Sequence, residues 1–149
     1  MIKSLLCAGF CAVAMAAAAS AEPWVDWSPQ KGVWNVTAVK VDPNHIDDYL
    51  VGLKKAWVPG EEYAKKQGLI DHYEVLVNVN AAGAAANVLL IEHATSFATM
   101  DPNKKRDEEM QKAMYAMMPK DQQESLVNGF DKYRTFVGQE MWQAVEFSK

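Results

Sequence analysis

Ile70-Asp71-His72-Tyr73-Glu74-Val75-Leu76-Val77-Asn78-Val79-Asn80, then Ala81-Ala82-Gly83-Ala84-Ala85-Ala86, then Asn87-Val88-Leu89-Leu90-Ile91-Glu92-His93: this stretch decides the fold. Its two flanks are rich in β-branched and aromatic residues, which suit a pleated, half-buried surface. The alanine-glycine segment between them carries no side chain capable of specific work and reads as a hairpin loop. Residues near 73–75 should therefore face those near 91–93 across an antiparallel pair.

The same reading extends outward. Gly32 opens a strand over Val33–Val41, and Asp42-Pro43-Asn44 stops it with helix-start chemistry. Apolar residues then fall at Ile46, Tyr49, Leu50, Leu53 and Trp57, intervals of three and four that place one stripe along a helix. Pro59-Gly60 interrupts that stripe, with Glu61 and Glu62 near a new helix start and Gly68 as a stop. Downstream of the hairpin, Thr95 to Met100 makes a helical turn that Asp101-Pro102 breaks. Helices follow over 103–118 and from Pro119 to about Gly129, and Tyr133 to Val145 reads as a final strand with Gly138 as a bulge point.

Strand, helix, strand, strand, helix, strand is the order of a split βαβ, or ferredoxin-like, α+β fold. It gives a four-stranded antiparallel sheet with helices on one face only. The other face, expected to carry Trp34, Val36, Leu76 and Leu90, would leave apolar area in water at roughly 25 cal/mol per Å2. A second copy is the common remedy, so a homodimer is expected.

Val41-Asp42-Pro43 at the end of the first strand, Tyr49 and Trp57 on the helix, Gly68-Leu69-Ile70 leading into the second strand, and Phe97 after the third recur in one superfamily. On them the chain resembles the dimeric α+β barrels, which include antibiotic-biosynthesis-type monooxygenases, NIPSNAP-like and stress-responsive barrel proteins. The resemblance implies a homodimer whose two sheets close a barrel, with a ligand cavity between sheet and helices in each subunit. Some relatives degrade haem with an Asn, a Trp and a His. Asn35, Trp57 and His93 stand at other places along this chain, so that role does not carry over. Cofactor-free oxygenases of the superfamily need a shaped apolar cavity with a few hydrogen-bonders, which Asn35, Trp57, Tyr73, Arg134 and Trp142 are placed to supply.

The start of the chain bears on location. Lys3, an apolar run from Leu5 to Ala19 and the small-x-small sequence Ala19-Ser20-Ala21 read as a signal peptide over residues 1–21. The run is shorter than the roughly 20 apolar residues a membrane span needs. Residues 22–31, with Trp24 and Trp27 between Pro23 and Pro29, form an irregular arm, and 32–149 form a single domain. The expected location is periplasmic or secreted, with no membrane partner after cleavage. Both cysteines, Cys7 and Cys11, fall in the leader, so the mature chain has no thiol chemistry. Its mixed, mildly acidic charge does not recommend nucleic acid as a partner. Phosphate-binding loops and nucleophile elbows are absent from the sequence, and no cofactor or metal is expected.

Among the histidines, His72 and His93 lie on strands and His45 at a helix start. With Glu74 and Glu92, His72 and His93 are the candidate catalytic groups, since imidazole titrates near neutral pH and a carboxylate orients it. A polar rim of cross-strand pairs is the simpler account of the same residues. Met110, Met114, Met117 and Met118 share a helical face, where thioethers fill irregular packing gaps. The expected function is binding of a small, largely apolar molecule by an exported homodimer. The alternatives are a cofactor-independent monooxygenase-like enzyme using a His/carboxylate pair, and a structural or stress-associated dimer without ligand.

Overall fold

A computed structural model describes residues 20–149. The leader, apart from its last two residues, and both cysteines lie outside them. The main strands are β2 (Val33–Val41), β3 (Ile70–Val77), β4 (Val88–Ala94) and β5 (Arg134–Trp142). They form one sheet in the order β3-β4-β2-β5 with every neighbour antiparallel. Between them run α1 (Ile46–Ala56), α2 (Val58–Lys66), α3 (Lys104–Met117) and α4 (Lys120–Phe130). This is the ferredoxin-like arrangement. The arm is less irregular than expected: Trp27–Pro29 forms a short strand, β1, paired with Val145–Phe147, β6, at the far end of the chain.

Local chemistry sets the boundaries. The Asp42 carboxylate accepts the Asn44 N–H at 2.9 Å and ends β2 in a turn of 3-10 helix over Pro43–His45. The helix break falls at Trp57, two residues before Pro59, because proline is tolerated only in a first turn. Gly68 adopts φ +72°, the left-handed geometry of a helix stop. Beside Gly138 the β2–β5 register slips, so Val137 is the extra residue of a bulge.

The core joins Val39 and Val41 of β2 and Val88 and Leu90 of β4 to Tyr49, Leu53 and Phe130 of the helices. Strand alternation therefore sends Val33, Asn35, Thr37, Val39 and Val41 to the helix side, and Trp34, Val36, Ala38 and Lys40 to the open side. Leu90 belongs to the helix side and is buried. This corrects its expected place on the open face, where Leu89 stands instead. Its register partner is Thr37, one residue from Val36, and a one-residue step changes face. Of the methionines, Met110 and Met114 of α3 lie over Gly60 of α2, a packing role.

Gly52 of α1 sits directly against the Phe130 ring. A Cβ there would lie 2.3 Å from Phe130 Cε1, whereas a Cβ at Gly129 meets nothing within 4 Å. Gly52→Ala should therefore destabilise by about 1–3 kcal/mol through overpacking, despite the better helix former. Gly129→Ala should be neutral or stabilise by up to about 1 kcal/mol. Thermal melts of the two variants check this; equal shifts would mean that α1 and α4 do not meet at Gly52.

Candidate functional site

A polar row crosses the helix side of the sheet, where apolar residues would be ordinary. Its centre is Glu92 on β4, with Asn35 of β2 opposite it on one side and Tyr73 of β3 on the other. From β5, the Gln139 amide donates to Asn35 Oδ1 at 2.9 Å and extends the row by one strand. Helix α2 closes it from above. Trp57, at the α1–α2 junction, meets the Tyr73 ring edge-on at 5.6 Å, and Glu61 is only 9% exposed.

Two carboxyl groups thus share a poorly solvated space. Burial pushes Glu61 up to about 8, and the nearby Glu92 charge adds to the shift. Burial also raises Glu92, while hydrogen bonding by the Asn35 and Trp57 side chains pulls it back. The unequal surroundings make Glu61 the natural proton holder and Glu92 the natural carboxylate, the division of labour that acid–base sites use. At the row's outer end the Tyr73 hydroxyl donates to Glu62, a bond that raises the phenol further still from ionisation.

The expected site residues separate into three groups. Asn35, Trp57, Tyr73 and Glu92 come together in this row. His72, Glu74, His93 and Trp142 lie on the open side, so Glu92 is divided from the histidines by the thickness of the sheet. On that side His72 Nε2 is 3.7 Å from Glu74, while His93 Nδ1 is 2.6 Å from Asp71. The Trp34 ring contacts both imidazoles, at 5.7 and 4.6 Å between ring centres. Arg134 is elsewhere again. It pairs with Val41 while Asn35 is six residues along β2, roughly 20 Å at strand rise. Its guanidinium lies over the Phe130 and Phe136 rings at 4.8 and 4.6 Å, with Asp131 at 3.6 Å. That is a clamp joining α4 to β5.

Sequence reasoning missed Glu61, Asp71 and Gln139. In the sequence Glu61 reads only as a helix-start acid favoured by the macrodipole. Asp71 sits at the register shift between Ile70 and His72, which turns it toward His93. A local bulge of that kind leaves no pattern in the sequence.

A hollow of about 430 Å3, lined by Thr37, Phe136, Val137, Gly138 and Gln139, adjoins the row at β5. Gln139 belongs to both. A second hollow, of about 530 Å3, lies on the open side over Val36, Ala38, Leu89 and Ile91, with Trp34 and Trp142 also in its lining. Among the described residues, no cluster of three or more His, Cys, Asp or Glu has the geometry to hold a metal ion.

No family model matches the chain. No curated protein matches it either. Among solved structures, it is similar to a protein from Shewanella oneidensis, with 12% identity, TM-score 0.48, and 80% of this chain and 98% of that one covered. It is similar also to a dimeric ferredoxin-like protein from an uncultured marine organism, with 10% identity, TM-score 0.47, and 80% and 91% covered. A third, a dimeric protein of unknown function and ferredoxin-like fold from Bacteroides fragilis, has 14% identity, TM-score 0.40, and 80% and 99% covered.

Proposed function

We propose that the protein is an exported homodimer that binds a small, largely apolar molecule on the helix side of its sheet, with binding linked to the proton held by the Glu61–Glu92 pair. The observation that carries this reading is the Glu61–Glu92 pair, linked through Asn35 and Gln139 to the 430 Å3 hollow. Phe136 and Val137 give that hollow an apolar wall, and Gln139 gives it a polar end. An apolar pocket with a few convergent polar groups and shifted carboxyls is the usual form of a small-molecule site. The Asn35 amide donates to Glu92 and accepts from Gln139, so a chain of hydrogen bonds ties the carboxyl pair to the hollow. This replaces the His/carboxylate alternative as the leading acid–base reading. The His93–Asp71 contact of 2.6 Å keeps that alternative as a second reading, since an imidazole oriented by a carboxylate is the standard form of a general base.

Two features support the dimer. The open face carries apolar side chains from all four strands. The edge strand β5 exposes Phe136, Val137, Met141 and Trp142, each more than two-fifths accessible. A long apolar edge strand is an aggregation hazard unless another chain covers it. Native mass spectrometry of the protein purified from its own host tests the reading, with a dimer carrying a small-molecule adduct expected. Leu76 is 44% exposed on the open face. Leu76→Arg should leave the monomer folded and abolish the dimer in light scattering, because closure would trap a long, charged side chain between the two sheets. A wild-type monomer, or a dimer indifferent to Leu76→Arg, overturns the closure of sheet on sheet.

A further inference from the structure

The hollow on the open side has a chemistry of its own. It is lined by Val36, Ala38, Leu89 and Ile91 and, at one end, by two indoles, Trp34 and Trp142, from directly paired positions on β2 and β5. Two carboxylates, Glu74 of β3 and Glu140 of β5, stand at its rim. The cationic side of the balance is thin. Lys40, on the same face of β2, is drawn away to the Ala84 carbonyl at 2.7 Å. His93 is engaged by Asp71, and His72 is 3.7 Å from Glu74. Arg134 belongs to the other side of the sheet. Glu140 has no cationic partner among the described residues, and Glu74 has only the 3.7 Å His72 contact, so this aromatic-lined hollow with acids at its rim matches one kind of small molecule.

We infer that the Trp34–Trp142 hollow binds an organic cation, a quaternary or alkylated ammonium whose methyl groups pack on the indoles. Indole faces attract cations through the ring quadrupole, and the attraction grows when water is excluded. The two rim carboxylates supply the charge complement, and the apolar lining accommodates alkyl groups that a hydrated metal ion lacks. If a second copy closes over this face, the carboxylates of both copies are enclosed, and the cation offsets a burial that would otherwise oppose closure. The inference uses the opposite side of the sheet from the Glu61–Glu92 row, so either can fail without the other.

The test is calorimetric titration of the purified protein with choline, against its uncharged isostere 3,3-dimethylbutanol, with light scattering on the same samples. Choline should bind at least tenfold tighter than the isostere. Trp142→Ala and Glu140→Gln should each weaken choline at least fivefold, and both positions are exposed enough to leave the fold intact. Trp24→Phe, in the arm, should change nothing. Equal binding of choline and isostere, no saturable binding of choline, or a hollow filled by a second copy's side chains with choline excluded would each overturn the inference.

Discussion

Replacing Asn87 by alanine is expected to lower the stability of the fold by about 2–5 kcal/mol, a large part of what a domain of this size possesses. Asn87 is 2% exposed, just before β4, and its side chain acts as a piece of backbone. The Oδ1 atom accepts the Val41 N–H at 2.7 Å, and the Nδ2 group donates to the Val41 carbonyl at 2.7 Å. Its own N–H donates to the Val39 carbonyl at 3.0 Å. One side chain thus completes the β2–β4 ladder where β2 ends. Truncation leaves a buried N–H and a buried C=O without partners, each costing about 1–3 kcal/mol. A thermal midpoint lower by roughly 10 °C is the expected reading. Asn87→Asp gives a sharper result. Its carboxylate still accepts from Val41 N–H but opposes the Val41 carbonyl, so the variant should be weak at pH 7 and recover partly in acid, where a protonated carboxyl donates again. An Asn87→Ala variant within about 0.5 kcal/mol of wild type would show that water replaces the amide.

The second large effect is on pH dependence. Glu61 rises from an ordinary 4.5 to about 8 in the folded protein. Between those values the folded state holds a proton that the unfolded state has released. Stability therefore falls as pH rises through this window, is unaffected by this group below about 4.5, and levels off above about 8. The direction is opposite to that of a salt-bridged carboxylate. At about 1.4 kcal/mol per pH unit over this window, the cost accumulated by pH 8 is on the order of 4–5 kcal/mol. Glu61→Gln removes the titrating group: its unfolding free energy should match wild type near pH 5, exceed it by a few kcal/mol near pH 9, and lose most of the slope between. Urea titrations at pH 5, 7 and 9 measure this. Parallel pH profiles for the two proteins would mean that Glu61 is ionised and hydrated in the fold. Such a stability sacrifice at a fixed position is what a proton-holding site requires, and the amide variant separates stability from any ligand-linked proton uptake.

How far the sequence reached can be judged from particular residues. Val33–Val41 and the alanine-loop hairpin were legible because a period of two, bounded by Gly and Pro, is a local property of the chain. The helix break near Pro59 was legible for the same reason. The two-sided sheet was less so. Leu89 and Leu90 are adjacent and chemically alike, and only the pairing of Thr37 with Leu90 shows which of them is inside. The site was legible in its members and not in its grouping. The sequence marks Asn35, Trp57, Tyr73 and Glu92, but it groups Glu92 with histidines that lie across the sheet from it.

The sequence by itself determined the order of elements, the antiparallel hairpin at their centre and the surplus of apolar surface on one side. These follow from side-chain periodicity and backbone restrictions that act over a few residues. Tertiary structure alone decided that Glu61, a helix-start acid in one dimension, is buried against Glu92, and that a register slip turns Asp71 toward His93. Both depend on how a helix seats on a sheet and where a strand slips by one residue. Burial and charge proximity arise between segments far apart in the chain, and no local pattern records them.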